Sequence, residues 1–159
     1  MLFGWGFGIT VGIIDMLKAF IPMVIVFNLF CFSEYINFLV SISALGAILG
    51  HCFPFFMNFN GGKGMACYLG MLFYYDLAFG FSVCVLAVIL LLLTNYVAVA
   101  TIIVLIVSPF AMQYLFENLS INFITIQWFI SSIIILMHRE NISKIINGTE
   151  TTFWSVFKK

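Results

Sequence analysis

An all-α integral membrane protein, a bundle of about six transmembrane helices, is the fold class the sequence predicts, and three observations predict it. Of the 159 residues, 64% are hydrophobic and only 8% charged, where a soluble domain carries about a quarter. Mean hydropathy is +1.21. Charge-poor runs long enough to cross ~30 Å of hydrocarbon at ~1.5 Å per residue recur along the chain. Six basic and six acidic side chains are too few to solvate a second, water-soluble domain, so residues 1–159 read as one membrane domain with a polar tail at 138–159. Residues 1–14 lack the positive start of a cleaved signal. The net charge of zero carries no signal for nucleic acid, and none is expected as a partner.

The first span, 4–32, is apolar except for Asp15 and Lys18. Three residues apart on a helix, these two share a face and neutralise one another, either as a structural pair turned to the bundle interior or as part of a site. Pro22 is placed to kink the helix. Ser33, Glu34 and Asn37 make a polar turn, and the second span, 35–56, carries Ser41, Ser43, Ala44, Gly46, Ala47 and Gly50, small residues that would let helices approach closely. The third, 64–75, is short at about 18 Å of helix. The fourth and fifth, 77–93 and 97–116, are charge-free, with Pro109 as a second kink point, and the sixth is 121–137. Cys31, Cys52, Cys67 and Cys84 match no zinc or redox spacing and read as buried thiols.

Six crossings place both termini and the second and fourth loops on one side. Lys63, Arg139, Lys144, Lys158 and Lys159 fall there, while Glu34, Asp76 and Glu117 occupy the opposite turns. That separation makes the lysine side cytoplasmic and favours a crossing third helix over a re-entrant one. The tripeptides starting at Asn118, Asn141 and Asn147 fit the glycosylation pattern by chance.

The stretch 51–67 is the one place where glycines and a cation coincide: His51 and Pro54 precede Gly61, Gly62, Lys63 and Gly64. Glycines let backbone N–H groups approach an anion, and a lysine at the start of the next helix adds charge to a positive helix terminus. The other reading is a flexible turn with a snorkelling lysine. The tail opens with His138, Arg139, Glu140 and Asn141. If helix continues through Asn141, His138 and Asn141 share a face, either for anion and hydroxyl recognition beside Lys63 or as an ordinary juxtamembrane cap. No Walker, Rossmann, Gly-x-Ser-x-Gly or His-Glu-x-x-His pattern occurs, so any chemistry rests on positioning and electrostatics rather than on a protein nucleophile.

The order Asp15-x-x-Lys18, Gly50-His51-x-Phe53-Pro54, Gly61-Gly62-Lys63-Gly64, Tyr96-Val97, His138-Arg139-x-Asn141-Ile142 and Gly148-Thr149-Glu150 resembles the bacterial PlsY family, acyl-phosphate:glycerol-3-phosphate acyltransferases of the inner membrane. The resemblance runs from about Gly8 to Glu150. It implies acyl phosphate, glycerol 3-phosphate and membrane lipid as partners, no cofactor and no metal, and an active face on the cytoplasm. It also implies that Gly61, Gly62, Lys63 and Gly64, with Arg139, bind the substrate phosphate, that His138 and Asn141 serve catalysis, and that His51, Asp15, Lys18 and Glu150 support them. The family has seven spans and a first motif rich in serine and arginine; this chain starts after it, and so reads as a six-span remnant or a chain with a misassigned start. Asn60, Asn95 and Ala98 stand where the family has lysine, arginine and serine. Since a charge-assisted bond contributes about 1.5 to 3 kcal/mol, affinity would fall. An inactive paralogue that binds lipid or a partner is the alternative.

Overall fold

The computed structural model describes residues 4–116 and 121–156, leaving aside the side chains of Gly4, Trp5 and Val156. The expected turn at Glu117, with the tripeptide starting at Asn118, and the terminal Lys158 and Lys159 lie outside the described residues. Seven α-helices appear there: α1 (Gly4–Phe30), α2 (Ile36–Cys52), α3 (Met65–Tyr75), α4 (Leu77–Thr94), α5 (Val97–Leu115), α6 (Ile121–Met137) and α7 (Arg139–Ile146). Single 3-10 turns occupy Phe55–Met57 and Trp154–Val156.

The protein is a multi-pass membrane protein. By length and apolarity, α1, α2 with its extension to Met57, α4 and α5 each suffice to cross a bilayer. α6 meets that measure only together with α7, from which it is bent by 47°, and α3 is an apolar helix of 11 residues. The six apolar helices alternate in direction. Phe20 stacks on Tyr74 and Met16 lies against Gly70, so α1 and α3 run parallel. At one end of the bundle Ser41 bonds Tyr75 at 3.0 Å, Tyr75 packs on Phe123 and Phe79 on Phe116. At the other, the N–H groups of Phe153 and Trp154 bond the main-chain and side-chain oxygens of Asn95.

α3 sits at the centre. α1, α2 and α4 pack on it, and the Tyr68 hydroxyl, fully buried, joins it to Ser108 of α5 at 2.8 Å and to Gln127 and Ser131 of α6 at 3.4 and 3.5 Å. This enclosure is what permits a helix shorter than the hydrocarbon layer, because non-helical backbone at membrane depth survives only when wrapped in protein. Elsewhere several outward polar side chains satisfy themselves. Thr10, Asn28, Ser82, Thr125 and Ser132 each donate to the carbonyl four residues back on their own helix, which removes a donor from lipid without a tertiary partner.

α1 runs through Pro22 to Phe30 and α5 through Pro109 to Leu115, each without a break. Some local expectations are corrected. The second span, expected at 35–56, reaches Met57, but its α-helix stops at Cys52, because Pro54 bars its predecessor from the helical region and Phe53 adopts φ −128° and ψ 57°. Cys52 and Cys67 are buried, but Cys31 lies exposed in the α1–α2 turn and Cys84 is half-buried on α4.

The close approach expected at Gly46 and Gly50 occurs at Gly70 instead. A methyl group at Gly46 or Gly50 would meet nothing within 4 Å, whereas one at Gly70 would lie 2.1 Å from the Met16 carbonyl oxygen. The short central helix therefore nests against α1 backbone to backbone. Gly70→Ala is expected to destabilise the bundle by about 1 to 3 kcal/mol through overpacking. Gly46→Ala should stay within about 1 kcal/mol of the parent and on the stabilising side, since alanine is the better helix former. Thermal unfolding in nanodiscs checks the contrast.

Candidate active site

The loop between α2 and α3 begins with the orphan carbonyls at the α2 C-terminus. Gly61 N–H donates to the Cys52 carbonyl and Gly62 N–H to the His51 carbonyl, both at 3.1 Å. The expectation that these two N–H groups face an anion is thus corrected; they close the end of α2. Their glycine identity follows from that closeness. A Cβ on Gly61 would stand 2.1 Å from the His51 oxygen, and one on Gly62 would stand 2.0 Å from His51 Nε2.

Gly64 begins α3 with φ +89°, a left-handed conformation that suits glycine, with Cys52, Ile48 and Ile134 around it. No side chain caps α3. The N–H groups of its first turn have no intrahelical acceptor, and they open beside the exposed Lys63. The N–H groups without a helical or side-chain acceptor are those at the start of α3, not those of the glycine pair.

The tail comes to this loop through a break in α6. In an unbroken helix the His138 N–H would bond the Ile134 carbonyl; here the His138 ring takes that carbonyl through Nδ1 at 2.8 Å and the backbone N–H moves to Ile135 at 2.9 Å. The condition of one helix running from α6 through Asn141 is not met. The chain turns at His138, and α7 starts afresh at Arg139. Because a carbonyl only accepts, the neutral imidazole carries its proton on Nδ1 and leaves Nε2 as an acceptor. Burial, reinforced by the Lys63 charge, holds His138 below the ordinary imidazole range, against opposing contributions from the Ile134 carbonyl and Glu150.

Lys63 Nζ donates to Asn141 Oδ1 across 78 residues of sequence. Asn141 Nδ2 donates in turn to Glu150 Oε1 at 2.6 Å. Gly148, at φ +67°, reverses the chain after α7, and Thr149 and Glu150 bond back to the Lys144 carbonyl at 2.8 and 3.2 Å. That reversal carries Glu150 under Asn141.

Lys63 and Arg139 line one cleft of about 540 Å³, together with Asn60, Gly61 and Glu140 and an apolar wall that includes Leu49, Phe53, Phe59, Ile133 and Leu136. Sequence reasoning missed that wall, although the aromatic string 53–59 in a loop was its signal. Phe59 is held out at φ +59° after Asn58 at +51°, a conformation costly for an aromatic residue. Asp15, Lys18 and His51 stand on the other side of the loop: Lys18 Nζ lies 2.7 Å and His51 Nδ1 3.5 Å from Asp15 Oδ1. Lys18 is half-exposed rather than interior, at 53% against 16% for Asp15. Asn95, between α4 and α5, holds the tail. Among the described residues no three His, Cys, Asp or Glu side chains converge to hold a metal.

A sequence profile of the family described as glycerol-3-phosphate acyltransferase matches residues 1–148. The chain is 34% identical over 138 residues to a glycerol-3-phosphate acyltransferase of Thermotoga petrophila, covering 87% of this chain and 67% of that one. It is 32% identical over 180 residues to one of Mycoplasma pneumoniae, covering 94% and 75%. Among solved structures it is similar to PlsY (YgiH), an integral membrane glycerol 3-phosphate acyltransferase, in its glycerol 3-phosphate form, with a TM-score of 0.87 and 27% identity over 99% of this chain and 78% of that one. Its likeness to the lysophosphatidic acid form gives 0.83 and 28% over 93% and 73%.

The lowered His138 fixes a pH dependence. Unfolded, the imidazole titrates near ~6.5; folded, it resists protonation, so between the two values the unfolded chain binds more protons and stability rises with pH. Acidification from about pH 7 to about pH 5 should therefore lower the unfolding temperature more in the parent than in His138→Gln. Thermal scans across that range measure the difference in slope.

Proposed function

This chain belongs to the glycerol-3-phosphate acyltransferase family, and on that premise we propose that it transfers a fatty acyl group from acyl phosphate to the 1-hydroxyl of glycerol 3-phosphate. The products are lysophosphatidate and inorganic phosphate. The observation that carries the reading is the bond from Lys63 to Asn141, braced by Glu150, which joins the glycine loop to the tail at one end of the bundle. The other residues proposed for the site are Gly64, His138 and Arg139, with Gly61 and Gly62 as its scaffold.

Lys63 keeps two N–H donors beyond the one given to Asn141, and these, with the first turn of α3, suit a phosphate dianion. His138 Nε2 would accept the hydrogen bond of the attacking hydroxyl. As the hydroxyl oxygen bonds the acyl carbon and the carbon–oxygen bond to phosphate breaks, the hydroxyl proton ends on the departing phosphate. No protein nucleophile is required, and most of the acceleration comes from holding the two substrates together. Arg139 beside Lys63, against an apolar wall, favours a donor with a phosphate head and a hydrocarbon tail. Lys63, Arg139 and Lys144 at one end of the bundle support placing that end in the bacterial cytoplasm, with the chain in the inner membrane.

The full chain in nanodiscs, given palmitoyl phosphate and glycerol 3-phosphate, should release lysophosphatidate and phosphate in equal amounts and should ignore palmitoyl-CoA. No lysophosphatidate above background would remove the activity from this chain, and transfer from the thioester would replace the donor. Lys63→Ala should lower kcat/KM for glycerol 3-phosphate by about ten- to a hundredfold, the loss of one charge-assisted contact. An unchanged value would take Lys63 out of the site.

A further inference from the structure

α1 contributes no residue to the cleft that Lys63 and Arg139 line, yet it holds a carboxylate against the loop that carries Lys63. Asp15 Oδ1 accepts from Lys18 at 2.7 Å and faces His51 Nδ1 at 3.5 Å. Both side chains are largely covered, at 16% and 14% exposure. His51, in the last turn of α2, meets Gly62 twice. Its carbonyl accepts the Gly62 N–H at 3.1 Å, and its ring edge is so close that a methyl on Gly62 would lie 2.0 Å from Nε2 and 2.7 Å from Cε1. With Asp15 on the Nδ1 side, the Nε2 edge is turned onto the loop.

Neutralising Asp15 in the membrane does not need the imidazole, because Lys18 already does that at the shorter distance. The ring is held for another reason. Lys63 follows Gly62 directly, its Cα about 3.8 Å further on, so a shift of Gly62 moves the root of the Lys63 side chain and changes how it must stretch to keep its bond with Asn141.

We infer that Asp15 and His51 form a positioning unit that sets the reach of Lys63, so that α1 governs affinity for the phosphorylated alcohol without touching it. The inference rests on the reading that Lys63 binds glycerol 3-phosphate. It assigns the glycine at position 62 to the imidazole edge rather than to the approach of a phosphate, and that assignment separates it from a merely structural role.

The test is a double-mutant cycle on the full chain in nanodiscs with palmitoyl phosphate as donor. Gly62→Ala and His51→Ala should each raise KM for glycerol 3-phosphate by about tenfold while kcat and the KM for the donor stay within about threefold. The double variant should also stay near about tenfold, because the added methyl occupies the space the ring has left. Asp15→Asn should raise the same KM in the parent and have no effect in His51→Ala. A double variant near the product of the singles, about a hundredfold, overturns the inference, as does Asp15→Asn acting equally in both backgrounds.

Hydrogen exchange of residues 60–66 without substrate gives a reading independent of turnover. His51→Ala should speed it, and unchanged exchange overturns the inference. If the parent transfers no acyl group, the proposed reaction fails while the exchange result still decides the positioning role. Should His51→Ala not fold, His51→Asn, which keeps a donor toward Asp15 but withdraws the ring edge, takes its place with the same expectations.

Discussion

The constraint on which the molecule depends is that the backbone groups a helix leaves unpaired at its ends must find partners. α2 ends at Cys52, and its final carbonyls have no donors within the helix. Phe53, Gly62 and Gly61 supply the N–H groups for Leu49, His51 and Cys52 in turn. That arrangement dictates the path of the loop. Two residues must be glycine because the α2 backbone and the His51 ring leave no room for a Cβ. The next residue, Lys63, then emerges beside the uncapped start of α3, where the donors left over are the ones that attract an anion. On the proposed function a packing requirement and a binding geometry would be met by the same few residues.

The charges obey a related economy. Asp15 is paired with Lys18, Asp76 caps α4 through the Phe79 N–H at 2.6 Å, and Glu150 reaches Lys63 only through Asn141. The amide at 141 suits that position because it is neutral and two-faced. An aspartate there would set a second carboxylate against Glu150, and a lysine a second ammonium against Lys63. Asparagine presents oxygen to the cation and nitrogen to the anion, and those two charges fix which way it points. Lys63 is thereby aimed without being neutralised by direct contact with a carboxylate.

Apolar runs made the six helices legible in sequence, since hydrocarbon thickness sets their length and Glu34, Asp76, Asn95 and the tail mark the turns. The meeting of Lys63 with Asn141 was legible too, through the parity of crossings and the placement of lysine and arginine. What could not be read was which face of each helix meets a neighbour. α4 carries no charge on any face, so its sequence does not separate a lipid face from a protein face. Gly46 and Gly70 therefore look alike as letters, although one faces open space and the other the α1 backbone. Cys31 and Cys67 pose the same problem. The break at His138 was hidden for a different reason. It arises when a ring nitrogen competes with its own backbone for the Ile134 carbonyl, and no spacing rule records that competition.

The same ammonium group ties binding to chemistry. Lys63 is one of the influences that keep His138 uncharged, and an uncharged ring with its proton fixed on Nδ1 has a lone pair available at Nε2. On the proposed function a phosphate dianion arriving at Lys63 offsets that positive charge and makes the imidazole more basic, which strengthens its acceptor bond to the hydroxyl, while burial, the larger influence, still disfavours protonation. Before binding, the charge of Lys63 and the burial of the ring both disfavour the protonated imidazole, which could not accept from the hydroxyl. On that reading a site with no nucleophile of its own would be readied by its substrate, with Glu150 holding Asn141 and through it Lys63, whose charge acts on His138.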